Sequence, residues 1–194
     1  MQRLRVIEKN KRTKSVPTSS AQTFDLCEVA DPNHNMQCLI TDALKSWQIN
    51  YPIMHKFALL QLATGARVSE LLRITSGQIS PEGRIHIIAL KGGNDRIVLV
   101  EPLRTWLIHE RSLGRSIFQD LNRFSIHREY VRQGLAIKFG NNSKNSTTHL
   151  FRHLVGIDLN ELDNGRHAIR QGLGQKTEEA ADYYAVAARR KNDH

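Results

Sequence analysis

Thr64-Gly65-Ala66-Arg67-Val68-Ser69-Glu70-Leu71-Leu72 decides how this chain reads, because a glycine break there is followed by an arginine that opens a short apolar helix. The aligned N–H groups of a helix start, with a guanidinium beside them, favour an anion such as phosphate. Leu59, Leu60 and Leu62 before the break, and Leu71, Leu72 and Ile74 after it, have core character, so Arg67 is expected to project from a packed helical corner. Most arginines near a helix start make ordinary surface contacts, so the corner gains meaning only from what lies elsewhere along the chain.

Upstream, Ile53, Phe57, Leu60 and Ala63 share one face of a helix from about Tyr51 to Thr64. Met36, Leu39, Ile40, Ala43, Leu44 and Trp47 predict another from Pro32 to Trp47. Downstream, the Arg67 helix is expected to reach about Ile74, and Gly77 and Pro81-Glu82-Gly83 mark turns. Arg84 to Leu90 reads as a strand, Lys91-Gly92-Gly93-Asn94-Asp95 as a turn and Arg96 to Val100 as the returning strand of an antiparallel hairpin. Pro102 opens a helix to about Leu113, with Leu103, Trp106 and Leu107 inward and Ile108 a further candidate. Ser125 is the expected cap of a helix from Ile126 to Phe139, and Thr147 or Thr148 of one that carries His149 and Arg152 towards Gly165. A short helix from Arg166 to Gly172, a break at Leu173-Gly174-Gln175 and a final helix capped by Thr177 complete the order. The expected fold class is mainly α with a small antiparallel β-sheet.

Composition narrows the partner. The chain has 194 residues, 40% of them apolar, enough for one core, and 28 Lys and Arg against 19 Asp and Glu give a net charge of +9. Such an excess favours a polyanion, nucleic acid before membrane. Arg3, Arg5, Lys9, Lys11, Arg12 and Lys14 stand among few large apolar residues, so residues 1–20 read as a flexible basic arm and 21–194 as a single domain. A run of this kind is usually a solvated face; a DNA-tracking arm is the sharper reading, with Arg3, Arg5, Lys11, Arg12 and Lys14 as phosphate contacts. No apolar run is long enough to span a bilayer and no signal-peptide pattern opens the chain, so a soluble protein that is not exported is expected, cytoplasmic and, with a nucleic-acid partner, nucleoid-associated. Cys27 and Cys38 have no metal-ligand spacing.

Arg67, Lys91 in the hairpin turn, His149-Leu150-Phe151-Arg152-His153 and the pair Tyr183-Tyr184 follow one another in an order that resembles the catalytic domain of the tyrosine recombinases, the phage integrase family. The resemblance covers about Tyr51 to Tyr184. It implies site-specific cleavage and rejoining of double-stranded DNA through a 3′-phosphotyrosyl intermediate, without metal or other cofactor. Arg67 and Arg152 match the family's two phosphate-binding arginines, Lys91 its general acid, His149 its phosphate-side histidine and Tyr184 its nucleophile; Glu70 and His153 are expected to support them. A homotetramer on DNA and accessory DNA-bending proteins are implied as well. A phenol is a weak nucleophile at neutral pH and a phosphodiester repels attack, so the chemistry needs paired guanidinium forks and a positioned proton donor.

Two departures qualify the resemblance. Gln175 stands where the family has histidine or tryptophan, and a carboxamide can donate a hydrogen bond but cannot shuttle a proton. Few residues precede Tyr51, too few for the family's separate clamping (core-binding) domain. These departures motivate an alternative reading as a DNA-binding module or regulator with little or no catalysis; a type IB topoisomerase-like enzyme shares the residue order but not the R-x-S-E-L spacing. Tyr183 and Tyr184 lie about 100° apart on a helix, so one of them is a packing residue. His149 and His153 have the spacing of a zinc pair, but Leu150 occupies the place of the metalloprotease glutamate and Arg152 would set a cation beside the metal.

Overall fold

The computed structural model describes residues 32–90, 92–135, 147–160, 162 and 165–177. The basic arm with Arg3, Arg5, Lys11, Arg12 and Lys14, the turn residue Lys91, and Tyr183 and Tyr184 on the expected last helix lie outside the described residues. In order come α1 (Pro32–Asn50), α2 (Pro52–Thr64), α3 (Val68–Leu71), β1 (Arg84–Ile87), β2 (Arg96–Leu99), α4 (Arg104–Ser112), α5 (Arg123–Arg132), α6 (Leu150–Asn160) and α7 (Gly165–Gly172). The mostly helical architecture with one two-stranded antiparallel sheet agrees with the expected class. Arg84 pairs with Leu99 and Ile87 with Arg96, so the hairpin register follows from the turn between them.

Apolar periodicity explains the packing. Met54, Phe57 and Leu60 on α2, Trp47 on α1, Leu71 and Ile74 beyond the glycine break, Tyr130 on α5 and Phe151 on α6 are all fully buried. Each such side chain contributes about 1.5–3 kcal/mol by leaving water. Phe57 meets Phe118 edge-on at 5.0 Å, and Tyr130 meets Phe151 edge-on at 5.2 Å, so rings join α2 to the segment between α4 and α5, and α5 to α6. A smaller cluster of Ile169 and Leu173 packs with Val155 and Leu159 between α6 and α7. Among the described residues no helix is long and apolar enough to cross a membrane.

Several expectations are corrected. The helix after Arg67 is a single turn, Val68–Leu71, rather than a run to Ile74. Ile108 is 40% exposed and points away from the core, whereas Leu103 and Leu107 are buried. The cap of α5 is Asn122, whose side chain accepts from the Phe124 and Ser125 N–H groups; Ser125 is its reciprocal partner three residues on, because its hydroxyl accepts from the Asn122 N–H. α5 ends at Arg132, before Gly134 with its positive φ of 71°.

Candidate active site

The corner begins with Gly65, which ends α2 in the left-handed region at φ 59° and donates its N–H to the Gln61 carbonyl at 2.8 Å. A side chain there would also collide with Leu173 and approach Val155 within 3.2 Å, so glycine is required by conformation and by space together. Arg67 then leaves in an extended conformation and donates twice to one carboxylate: its N–H to Glu70 Oε2 at 3.0 Å and its Nη1 to Glu70 Oε1 at 2.8 Å. The Leu90 N–H and Arg96 Nη2 reach the same carboxylate at 3.4 and 3.3 Å. Burial alone would raise the Glu70 carboxyl, but the Arg67 N–H, the Arg96 charge and the Arg67 fork outweigh it and hold the group below its ordinary range. Glu70 therefore closes the start of the single turn itself. The anion-attracting element of the corner is the guanidinium rather than the helix end.

Arg152, in the first turn of α6, is 3% exposed and is tethered by backbone on both sides: Nη1 donates to the Gly65 carbonyl at 2.8 Å and Nη2 to the Leu173 carbonyl at 3.0 Å. The two glycine breaks that the sequence marks thus meet on one side chain. The Arg67 side chain, by contrast, keeps 28% of its surface exposed. His149 sits on a 3₁₀ turn, Thr147–His149, that leads into α6, instead of on the helix proper. Gln61 Nε2 fixes that turn by donating to the Thr148 carbonyl at 3.0 Å and, at 3.3 Å, to the Ala66 carbonyl. The His149 and His153 rings are 6.4 Å apart. Burial first, then the charges of His149 and Arg152, lower His153 to about 4, so its imidazole is neutral at neutral pH.

Gln175 follows Gly174 in the third segment of the site. The Asn94 N–H donates to the Gly174 carbonyl at 2.9 Å and Asn94 Nδ2 to the Gln175 carbonyl at 3.1 Å, so the hairpin turn docks on the Leu173-Gly174-Gln175 break. Arg67, Arg152, His149 and Gln175 are therefore gathered on one corner by α2, α6 and the turn after α7. Three contributors escaped the sequence reading. Asn94 looked like a turn residue only. Gln61 lies four residues after Phe57, on the same buried face of α2. Arg96 shares the inward parity of Val98, and both are buried, so strand alternation was the available signal.

Comparison with known proteins agrees with this geometry. The model of the phage integrase family matches residues 34–190. The fold is similar to the crystal structure of XerA recombinase, with TM-score 0.57 and 18% identity over 94% of this chain and 64% of that one. The chain thus spans less than two thirds of the XerA structure. It is similar also to the catalytic domain of bacteriophage HP1 integrase, with TM-score 0.53 and 22% identity over 78% of this chain and 86% of that one. No curated protein matches it by sequence. With a family match that runs from α1 past the Gln175 turn, the chain belongs to the phage integrase family.

Proposed function

We propose that the protein is a site-specific tyrosine recombinase that cleaves and rejoins double-stranded DNA through a 3′-phosphotyrosyl intermediate. The observation that carries this reading is the tethering of Arg152 between the two other segments of the site: it is held by the carbonyls of Gly65 and Leu173, two residues from Arg67 and two from Gln175. Two oriented guanidinium forks neutralise the phosphoryl oxygens without a metal, and loss of one such donor typically costs about 2.7–4 kcal/mol in the barrier. Tyr184 passes its phenolic proton to His149 as it attacks the phosphorus, the P–O bond to the 5′-oxygen breaks, and Lys91 gives that oxygen its proton. His149 assists proton transfer on the phosphate side, and the neutral His153 packs behind it. The bond energy is retained in the phosphotyrosyl link, so the freed 5′-hydroxyl of a second strand reverses the step without ATP.

In this reading Arg3, Arg5, Lys11, Arg12 and Lys14 follow the DNA backbone from the arm, residues 21–194 form the catalytic domain, and four copies assemble on two DNA sites with the help of DNA-bending proteins. Gln175 supports the second reading, a DNA-binding regulator of recombination with little chemistry, because an amide in that place cannot relay a proton. Nicked duplexes prepared from DNA flanking the gene separate the two. A covalent protein–DNA adduct that disappears in Tyr184→Phe and persists in Tyr183→Phe supports the recombinase, and sequencing the trapped strand gives its target. An adduct retained by Tyr184→Phe moves the nucleophile. Wild-type protein that binds these duplexes and never becomes linked to them is a regulator.

A further inference from the structure

A third arginine underlies the corner. Arg96 opens β2 facing inward and is 3% exposed, yet only its Nη2 has a partner, Glu70 Oε2 at 3.3 Å; its Nε and Nη1 are buried without a hydrogen-bond partner among the described residues. A buried guanidinium with unused donors is costly, and such a cost is retained where an acceptor arrives. The backbone above it belongs to Gly174. A methyl group there would stand 3.0 Å from Arg96 Nη1 and 2.5 Å from the Asn94 carbonyl oxygen, so only glycine lets the turn lie over the guanidinium.

The carbonyls of this turn are already engaged. Leu173 accepts from Arg152 Nη2, Gly174 from the Asn94 N–H and Gln175 from Asn94 Nδ2. One acceptor of the turn remains, Gln175 Oε1, and it too is buried without a partner among the described residues. Orphaned donors on β2 thus lie against Gly174, and the next residue of that turn carries an orphaned acceptor.

We propose that Arg96 is the positioning residue for the Gln175 carboxamide: when the site closes on a phosphoryl group, Arg96 takes Gln175 Oε1 and leaves the Nε2 amide to donate to a phosphoryl oxygen. This rests on the recombinase-type phosphate site proposed above. A carboxamide can present either end, and its oxygen would repel a phosphate. A guanidinium has donors only, so it holds the oxygen end and decides the orientation. Its planar fork also spans two acceptors, Glu70 on one side and Gln175 on the other, which a single ammonium cannot do. By this device a glutamine supplies the N–H donor that a ring supplies elsewhere in the family.

The test is a double-mutant cycle on the full chain, read as orthovanadate affinity by titration calorimetry, vanadate serving as a mimic of the phosphoryl transition state. Arg67→Ala confirms that the probe occupies this corner by removing its binding. Gln175→Ala and Arg96→Met are each expected to weaken vanadate about tenfold, as loss of a hydrogen bond to a charged group does, with the double variant no weaker than the worse single one. Gln175→Glu pairs with Arg96 but has no donor to offer and weakens vanadate at least as much as Gln175→Ala. Gln175→His, whose ring needs no orienting partner of this kind, makes the Arg96→Met substitution nearly silent.

Should Arg96→Met fail to fold, Arg96→Lys keeps a charge beside Glu70 and is expected to behave the same way in the cycle. Losses that simply multiply would mean that Arg96 acts through Glu70 alone, and they overturn the proposal. So does wild-type protein without Arg67-dependent vanadate binding. Vanadate binding requires no nucleophile. A protein that forms no DNA adduct but shows the coupling keeps this inference and loses the recombinase reading; one that forms the adduct with multiplicative losses does the reverse.

Discussion

Two buried polar groups hold this corner together, and they are built differently. Gln61 is fully buried and neutral: its Nε2 donates to the carbonyls of Ala66 and Thr148, and its Oε1 accepts from the Tyr130 hydroxyl at 2.5 Å. Both amide hydrogens and the oxygen have partners, so the network joining α2, α5 and the turn before His149 is satisfied in itself. Glu70 is as deeply buried but ionic; its carboxylate accepts from Arg67, Leu90 and Arg96, and among the described residues the cluster leaves Arg96 donors unused. On the proposed function, the difference separates scaffold from site. A scaffold network is stable when every group is matched, whereas an anion-binding site keeps positive charge and donors in excess of what the protein supplies.

The comparison is broken most severely at Glu70. Glu70→Ala leaves two guanidinium groups without their carboxylate, one of them buried, and is expected to cost about 3–5 kcal/mol in a denaturant titration. A loss as small as that of a surface pair would mean that the cluster relaxes into water and does not hold the corner. Gln61→Leu leaves the Tyr130 hydroxyl and two carbonyls unmatched and should cost about 1–3 kcal/mol, in part restored when Tyr130→Phe is added. Full additivity of those two substitutions would show that the neutral network is not a unit.

The titration of stability sharpens the contrast further. His153 has its folded-state value near 4, below its ordinary 6.5, so the unfolded chain takes up a proton that the native state refuses. Stability should therefore fall as pH drops from about 6.5 towards about 4. Glu70 lies below its ordinary 4.5; its contribution is present above that value and lost as pH falls through the lowered one. Denaturation midpoints measured against pH should show both limbs, with His153→Leu flattening the upper limb and sparing the lower. The smallest effect is expected at the Lys45–Asp42 pair, 4.0 Å long and about three-quarters exposed at both ends: Asp42→Asn should leave the midpoint unchanged.

Much of the frame was legible in local pattern. Three-four spacing marked α1 and α2, alternation between turn residues marked the hairpin, and Gly65 and Gly174 marked breaks whose positive φ angles, 59° and 62°, only glycine adopts easily. Where the reading slipped, the competing signal was also local. Asn122 took the cap expected of Ser125 because both belong to one reciprocal capping pair, and Ile108 faces out because Leu103 and Leu107, four apart, define the buried stripe of their segment.

By itself, then, the sequence determined the succession of helices and the hairpin, and the order in which Arg67, His149 and Arg152 appear, since these depend on periods of two to four residues and on the chemistry of single side chains. Only the tertiary structure decided that Glu70 gathers donors from positions 20 and 26 residues downstream, and that Gln61 reaches Thr148 and Tyr130 across 87 and 69. Hydrogen bonds of that span leave no period in a sequence. They exist because burial strips water from polar groups and obliges each to find whatever partner the packed helices bring within reach.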